Sequence, residues 1–258
     1  MGSGPDLLLI HGAGGASHSW RRLVPHLTSQ FRVILVDLPG QGFTVLGNRG
    51  RCGLDAMASD LLALAQSQNW HPVAIIGHSA GAAIALRMAE LTPLRGVVGI
   101  NAALGEFDGL AGWLYPAMAK ILAATPFLAQ LFSRAFASPA QADKLIASTG
   151  STLEPAGMAQ YLTLLRKSDH VDATLAMMAQ WRLAALLSRL PGQTAPCLLI
   201  TSDLDRAVPP VISHQAAAQM NGAEVVDIPG FGHLVHEESG EIVATPILEF
   251  LARIGAVS

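Results

Sequence analysis

Short, uninterrupted apolar runs alternate with stretches of helical spacing over the first hundred residues. Asp6–Ile10, Phe31–Asp37, Val73–Ile76 and Val97–Asn101 are the runs, and each ends in glycine or a polar turn residue. Runs that are apolar throughout, rather than at every second position, predict strands buried on both faces, as in a parallel sheet covered by helices. Between them, residues 19–27 predict a short amphipathic helix with Ser19 as N-cap and Trp20, Leu23, Val24 and Leu27 on its apolar face. Leu54–Gln68 predicts a second helix through Leu54, Met57, Ala58, Leu61, Leu62 and Ala65. Residues 80–88 are small or aliphatic and predict a third.

The alternation stops at Ala102 and resumes near residue 191. A strand over Cys197–Thr201, a helix over Val211–Met220, a strand over Glu224–Ile228 and a helix over Glu237–Arg253 follow. Residues 102–190 contain no convincing strand, and their helical patterns are broken by Pro116, Pro126, Pro139 and Pro155. The expected fold class is therefore α/β: a mostly parallel sheet flanked by helices, formed by residues 1–101 and 191–258. A helical lid, 102–190, is inserted after the strand that ends at Asn101. The lid carries Trp113 and Tyr115, Tyr161 and Trp181, and Met118, Met158, Met177 and Met178. These side chains line a substrate cavity or make up the lid's own core.

The chemistry-bearing residues cluster just past predicted strand ends, where open α/β sheets build their sites. Gly77-His78-Ser79-Ala80-Gly81 joins an apolar strand to a small-residue helix. Glycine on both sides relieves the contacts of so tight a reversal and leaves Ser79 standing clear at a helix N-terminus. A neutral hydroxyl is a poor nucleophile, so it needs a base within reach and a group to orient that base. His233, in the loop Pro229-Gly230-Phe231-Gly232-His233, is the expected base, and His236 is expected to be structural or solvent-facing. Of the two acids after the Cys197 strand, Asp205 precedes a turn at Arg206-Ala207-Val208-Pro209 and is the expected orienter, with Asp203 a turn residue. Asn101, as an amide, cannot take that role. The backbone N–H groups of Ala80 and of Ala13, in His11-Gly12-Ala13-Gly14-Gly15, are the expected oxyanion donors. Each such donor is typically worth roughly 3–4 kcal/mol. His11 is expected to pin its loop by hydrogen bonds. His78, Trp113, Tyr161 and Trp181 are the expected substrate-contacting side chains.

Composition narrows the classes. Hydrophobic residues make up 51% and charged residues only 14% of 258, with a net charge of -3 and no basic block. Such a balance speaks against nucleic acid as a partner. The glycine loop after the first strand lacks the lysine of a P-loop and the spacing of a dinucleotide fingerprint. Cys52 and Cys197 stand far apart without metal-type spacing, which fits a reducing cytoplasm. The histidines lack paired ligand spacing, so no metal and no cofactor is expected. No apolar run is long enough for a transmembrane segment, and no signal-peptide pattern opens the chain. Met1-Gly2-Ser3-Gly4 reads as an added or trimmed start rather than as part of the fold.

Five motifs in order carry a resemblance over nearly the whole chain. They are His11-Gly12-Ala13, Asp37-Leu38-Pro39-Gly40-Gln41-Gly42, Gly77–Gly81, Asp205–Pro209 and Gly230–His233, and together they resemble the α/β-hydrolase superfamily. Narrower stretches resemble the magnesium-chelatase accessory (BchO) family of bacteriochlorophyll biosynthesis. These are Gly42-Phe43-Thr44, His78–Met88, Asn101–Leu104, Gly150-Ser151-Thr152-Leu153, His170-Val171 and Met177–Trp181. The superfamily resemblance implies a serine hydrolase that forms an acyl-enzyme on an ester, through Ser79, His233 and Asp205, and the lid's composition favours an apolar acyl or alcohol group. The narrower one implies magnesium chelatase or a tetrapyrrole as partner, with a non-catalytic accessory role as the alternative. Acyl transfer, perhydrolysis and carbon–carbon cleavage stay open on the same three residues. Two departures stand out: Gln41 where relatives often carry histidine and Ser202 where a glycine is common, and a start too close to the first strand for their additional opening hairpin.

Overall fold

A computed structural model describes residues 1–105 and 138–256. Six strands form one sheet: β1 (Asp6–Ile10), β2 (Arg32–Val36), β3 (Pro72–His78), β4 (Gly96–Ile100), β5 (Cys197–Ser202) and β6 (Glu224–Ile228). Their order is β2-β1-β3-β4-β5-β6, and every neighbouring pair is parallel. The chain winds one way from β1 to β2 and the other way from β3 onward. The β1 and β3 tips therefore flank the point where the topology switches, and a crevice opens there.

Each central strand sends alternate side chains to opposite faces. Leu7 and Leu9 join Ile76, Ile100 and Ile200 in one buried layer. Leu8 and Ile10 join Ile75, Val97 and Leu199 in the other. This two-sided burial explains why the strands read as continuous apolar runs. The helices are α1 (Val24–Leu27), α2 (Leu54–Ser67), α3 (Ala80–Leu91), α4 (Pro139–Ser148), α5 (Pro155–Arg166), α6 (Ser168–Gln180), α7 (Ala184–Leu187), α8 (Pro210–Ala217), α9 (Val235–Glu238) and α10 (Gly240–Arg253). α3 packs on β3, β4 and α2, whereas α10 packs on α1 and β5. None of the helices among the described residues is long and apolar enough to cross a membrane.

Two expected helices are split. Residues 19–27 form a 3-10 turn over Ser17–Trp20 and then the separate α1, because Pro25 lacks an N–H and opens a helix rather than continuing one. Ser19 lies inside the turn and caps nothing. Residues 237–253 divide at Ser239, which is extended between α9 and α10. There Gly240 lies against the Arg22 carbonyl, with no space for a Cβ. Pro139 and Pro155, expected as helix breakers, occupy the first turns of α4 and α5. Met1, expected to lie outside the fold, exchanges backbone hydrogen bonds with Val33 of β2. Trp113, Tyr115, Pro116, Met118 and Pro126 lie outside the described residues.

Candidate active site

Ser79 occupies the single residue between β3 and α3. Its backbone, at φ +52° and ψ −117°, adopts a conformation that side-chain-bearing residues rarely take. The surroundings hold it there: its N–H donates to the Ile100 carbonyl at 2.9 Å, and its carbonyl accepts from Ala82 and Ala103, both at 3.1 Å. A Cβ at Gly77 would collide with the Gly81 carbonyl, and one at Gly81 with the carbonyls of Ile10 and His11. The flanking glycines are thus a steric requirement of bringing β1, β3 and α3 together.

Asp205 and His233 come together from the loops after β5 and β6. His233 Nδ1 lies 2.7 Å from Asp205 Oδ2, and both side chains are buried. Asp205 Oδ1 accepts from the Ala207 and Val208 N–H groups, each at 2.8 Å, which fixes the carboxylate plane. A carboxylate only accepts, so Nδ1 carries the proton of this contact. Asp203 is exposed and accepts from the Gly230 N–H at 2.6 Å, a turn contact.

The His233 backbone is held as firmly as its ring. Asn101 Nδ2 donates to the His233 carbonyl at 2.9 Å, and His78 Nε2 donates to the same oxygen at 2.9 Å. The His233 N–H donates to the Thr149 carbonyl at 3.2 Å, and that carbonyl also accepts from the Arg206 N–H at 3.2 Å. One backbone oxygen of the insertion therefore ties together the Asp205 and His233 loops. Ser151 Oγ accepts from the next N–H, that of Leu234, at 2.8 Å. His78 packs at a tilt against His233 with ring centroids 4.7 Å apart, and His236 lies between His78 and Trp20 at 4.4 and 4.7 Å. His236 is fully buried, so it is structural and not solvent-facing. Burial lowers its pKa to about 3 and keeps the ring neutral.

Ser79 and His233 open onto one cavity of about 340 Å³ between the sheet tips and the inserted helices. The Ser79 hydroxyl makes no hydrogen bond to His233. Contacts of this kind commonly tighten only when substrate binds. Ala13 lines the cavity, and Ala80 is the first residue of α3. Neither N–H has a partner among the described residues. The adjacent Gly14 N–H is committed to Gln41 Oε1 at 2.8 Å. Gln41 also donates to the Met177 sulfur at 3.1 Å, so this departure from the family pattern links the loop after β2 to the inserted helices. His11 pins its loop as expected, with Nε2 accepting from the Leu38 N–H at 3.0 Å.

Of the four expected substrate contacts, His78 and Tyr161 line the cavity. Trp181 does not; half-buried, it packs against the apolar layer under α2 and α3. Trp113 lies outside the described residues. Tyr161 Oη donates to Glu237 Oε1 at 2.6 Å, and Arg21 donates to Glu237 Oε2 at 2.7 Å. Burial pushes the Glu237 carboxyl up to about 7, against the pull of Tyr161 and Arg21. His170 Nδ1 accepts from the Gly42 N–H at 3.0 Å, and its Nε2 donates to the Gly14 carbonyl at 3.2 Å. Burial holds its pKa near 4, so it too is neutral. Sequence reasoning gave no site role to Ser19, Thr149, His170 or Glu237. Thr149, His170 and Glu237 meet the site only through contacts between elements remote in the chain, and Ser19 meets it as part of the cavity wall.

The sequence profile of the alpha/beta hydrolase fold family matches residues 5–240. The chain is 47% identical to the magnesium-chelatase 30 kDa subunit of Rhodobacter capsulatus over 248 residues, which is 96% of this chain and 87% of that one. A shorter match, 37% identical over 95 residues, joins it to the pimeloyl-(acyl-carrier protein) methyl ester esterase of Aeromonas hydrophila, covering 37% of this chain and 36% of that protein. The solved structure of an alpha/beta hydrolase fold protein from Burkholderia ambifaria matches with a TM-score of 0.80 over 96% of this chain and 92% of that one. At 21% identity, this is a likeness of fold.

Proposed function

The chain belongs to the alpha/beta hydrolase fold family, and on that premise we propose that it is a serine hydrolase acting on carboxylic esters with an apolar acyl or alcohol part. The observation that carries this reading is the buried Asp205–His233 pair opening onto the same cavity as the conformationally strained Ser79. In the proposed reaction Ser79 Oγ bonds to the ester carbonyl carbon while its proton passes to His233 Nε2. The carbonyl oxygen becomes an oxyanion and accepts from the Ala13 and Ala80 N–H groups. Collapse breaks the carbon–oxygen bond to the alcohol, which leaves with the proton from His233. A water molecule then repeats the sequence on the acyl-enzyme, with His233 taking its proton, and releases the acid and free Ser79. Asp205 stays ionised throughout and keeps the imidazole in its Nδ1–H form. The cavity wall supports an apolar substrate through Leu145, Ile146, Leu164, Val171, Leu175 and Met178.

A fluorophosphonate probe and short p-nitrophenyl esters test the reading directly. Labelling and turnover are expected in the wild type and absent in Ser79→Ala and His233→Ala. A folded wild-type protein that neither labels nor turns over would sink it.

The 47% identity to a magnesium-chelatase subunit favours a second reading, an accessory protein that associates with magnesium chelatase or holds a tetrapyrrole without catalysis. Under that reading Ser79→Ala leaves chelatase stimulation intact, whereas under the first it abolishes any stimulation that depends on ester cleavage. In both, magnesium is cargo handled by the partner.

A further inference from the structure

We propose that Ser19 is a specificity residue of this cavity, donating a hydrogen bond to a second, neutral oxygen carried by the ester substrate; this rests on the hydrolase reading. Ser19 is 2% exposed and lines the cavity that holds Ser79. Its N–H is used within the 3-10 turn, donating to the Ala16 carbonyl at 3.0 Å, but its hydroxyl has no partner among the described residues. A buried hydroxyl normally finds an acceptor, so one left over on a cavity wall points to an acceptor that arrives with the ligand. The other hydroxyls of the wall, apart from Ser79, are committed: Tyr161 to Glu237, Thr149 to the Ile146 carbonyl and Thr174 to the His170 carbonyl. His18, the preceding residue, lies behind the wall rather than on it. Its Nε2 is buried without a partner, and its ring meets the edge of Tyr161 at 5.1 Å.

The same surroundings decide the charge of the incoming group. Arg21, two residues further along the chain, is already paired with Glu237 and Glu154. His18 is held neutral by burial. A carboxylate beside Ser19 would stand unpaired near the buried Glu237, which is costly, whereas a ketone, ether or second ester oxygen needs only the one donor. The substrate class is thus an apolar ester interrupted by one neutral oxygen.

The test compares oxo esters with methyl-branched isosteres. One arm places the oxygen on the acyl side (p-nitrophenyl 4-, 5- and 6-oxoacyl esters), and the other places it on the alcohol side (oxoalkyl acetates). At least one oxo ester is expected to exceed its isostere in kcat/KM by roughly three- to tenfold. Ser19→Ala is expected to bring that ratio to one, and Ser19→Ala should not lower Tm, since no hydrogen bond within the protein is lost. A ratio unchanged by Ser19→Ala, no preference in either arm, or a lowered Tm with the preference intact would overturn the assignment. Calorimetric binding of the same oxo esters and isosteres, left intact by Ser79→Ala, to Ser79→Ala and to Ser79→Ala/Ser19→Ala reads the same ratio without turnover. A wild type that binds the oxo ester selectively through Ser19 but hydrolyses nothing fails the hydrolase reading alone. Equal binding in both backgrounds fails the Ser19 assignment.

Discussion

The two walls of the cavity are built by different means. On the sheet side, Ser79 and Asp205 are held by backbone hydrogen bonds that follow from strand register and tight turns. On the side of the inserted helices α4–α6, position depends on scattered polar contacts: the Thr149 carbonyl, Ser151 on Leu234, Tyr161 on Glu237, and His170 between Gly42 and Gly14. Backbone positioning survives most side-chain changes, and so the proposed reacting atoms belong to the sheet. Side-chain ties respond to single substitutions and to pH. The inserted wall is therefore the more easily perturbed of the two, while the shared Thr149 carbonyl couples it to the His233 loop.

Removing a reacting atom should separate the two walls most sharply. Ser79→Ala or His233→Ala is expected to lower ester turnover by about 10⁴-fold or more while Tm moves little, checked by kcat with each variant's melting curve. Loss of both activity and fold would mean that the sheet wall is less self-sufficient than described. Gly81→Val attacks the backbone instead. Its side chain meets the carbonyls of Ile10 and His11, so a cost above about 3 kcal/mol is expected in urea unfolding. A near-neutral result would show that the β1–α3 approach is not tight.

Tyr161→Phe probes the inserted wall, leaving Glu237 Oε1 buried without its donor. A loss of about 1–3 kcal/mol is expected, and much of it should return in Tyr161→Phe/Glu237→Leu, where no buried carboxylate remains. A double variant no better than the single would place the cost in packing. Acid should act most gradually. His236, His170 and His18 are held neutral by burial, with pKa values of about 3, 4 and 4 against an ordinary 6.5. Between these limits the unfolded chain binds more protons than the folded one. The stability from keeping these rings neutral is thus whole above about pH 6.5 and is lost progressively towards pH 4. Glu237, raised to about 7, has the opposite sign between 4.5 and 7 and offsets part of the loss. The urea midpoint should fall from pH 6.5 to pH 4, less steeply in His236→Phe; a flat midpoint would contradict the neutral, buried histidines.

The sheet wall was legible in the chain because its determinants are local. A continuous apolar run, a glycine pair around Ser79 and a turn after Asp205 each constrain the backbone within a few residues. Strand positions, the α3 helix, the choice of Asp205 over Asp203 and the pinning role of His11 followed from such signals. The inserted wall was not. Tyr161 reached the cavity and Trp181 did not, although both are aromatic residues on helical stretches of similar composition. Glu237 read only as the first residue of an expected helix, yet it is buried under Arg21 and Tyr161. Ser19 read as a helix cap, and Pro25 made its turn a separate one.

By itself, then, the sequence determined the parallel sheet, the points where the chain must reverse and the residue types placed at those reversals, since propensity, apolar period and glycine sterics act over a few residues. Only the tertiary structure decided which polar atoms are satisfied and which are left buried without a partner. Hydrogen-bond partners such as Thr149 for His233, or none for Ser19, are supplied by segments far away in the chain, and burial removes the water that would otherwise make every such group equivalent.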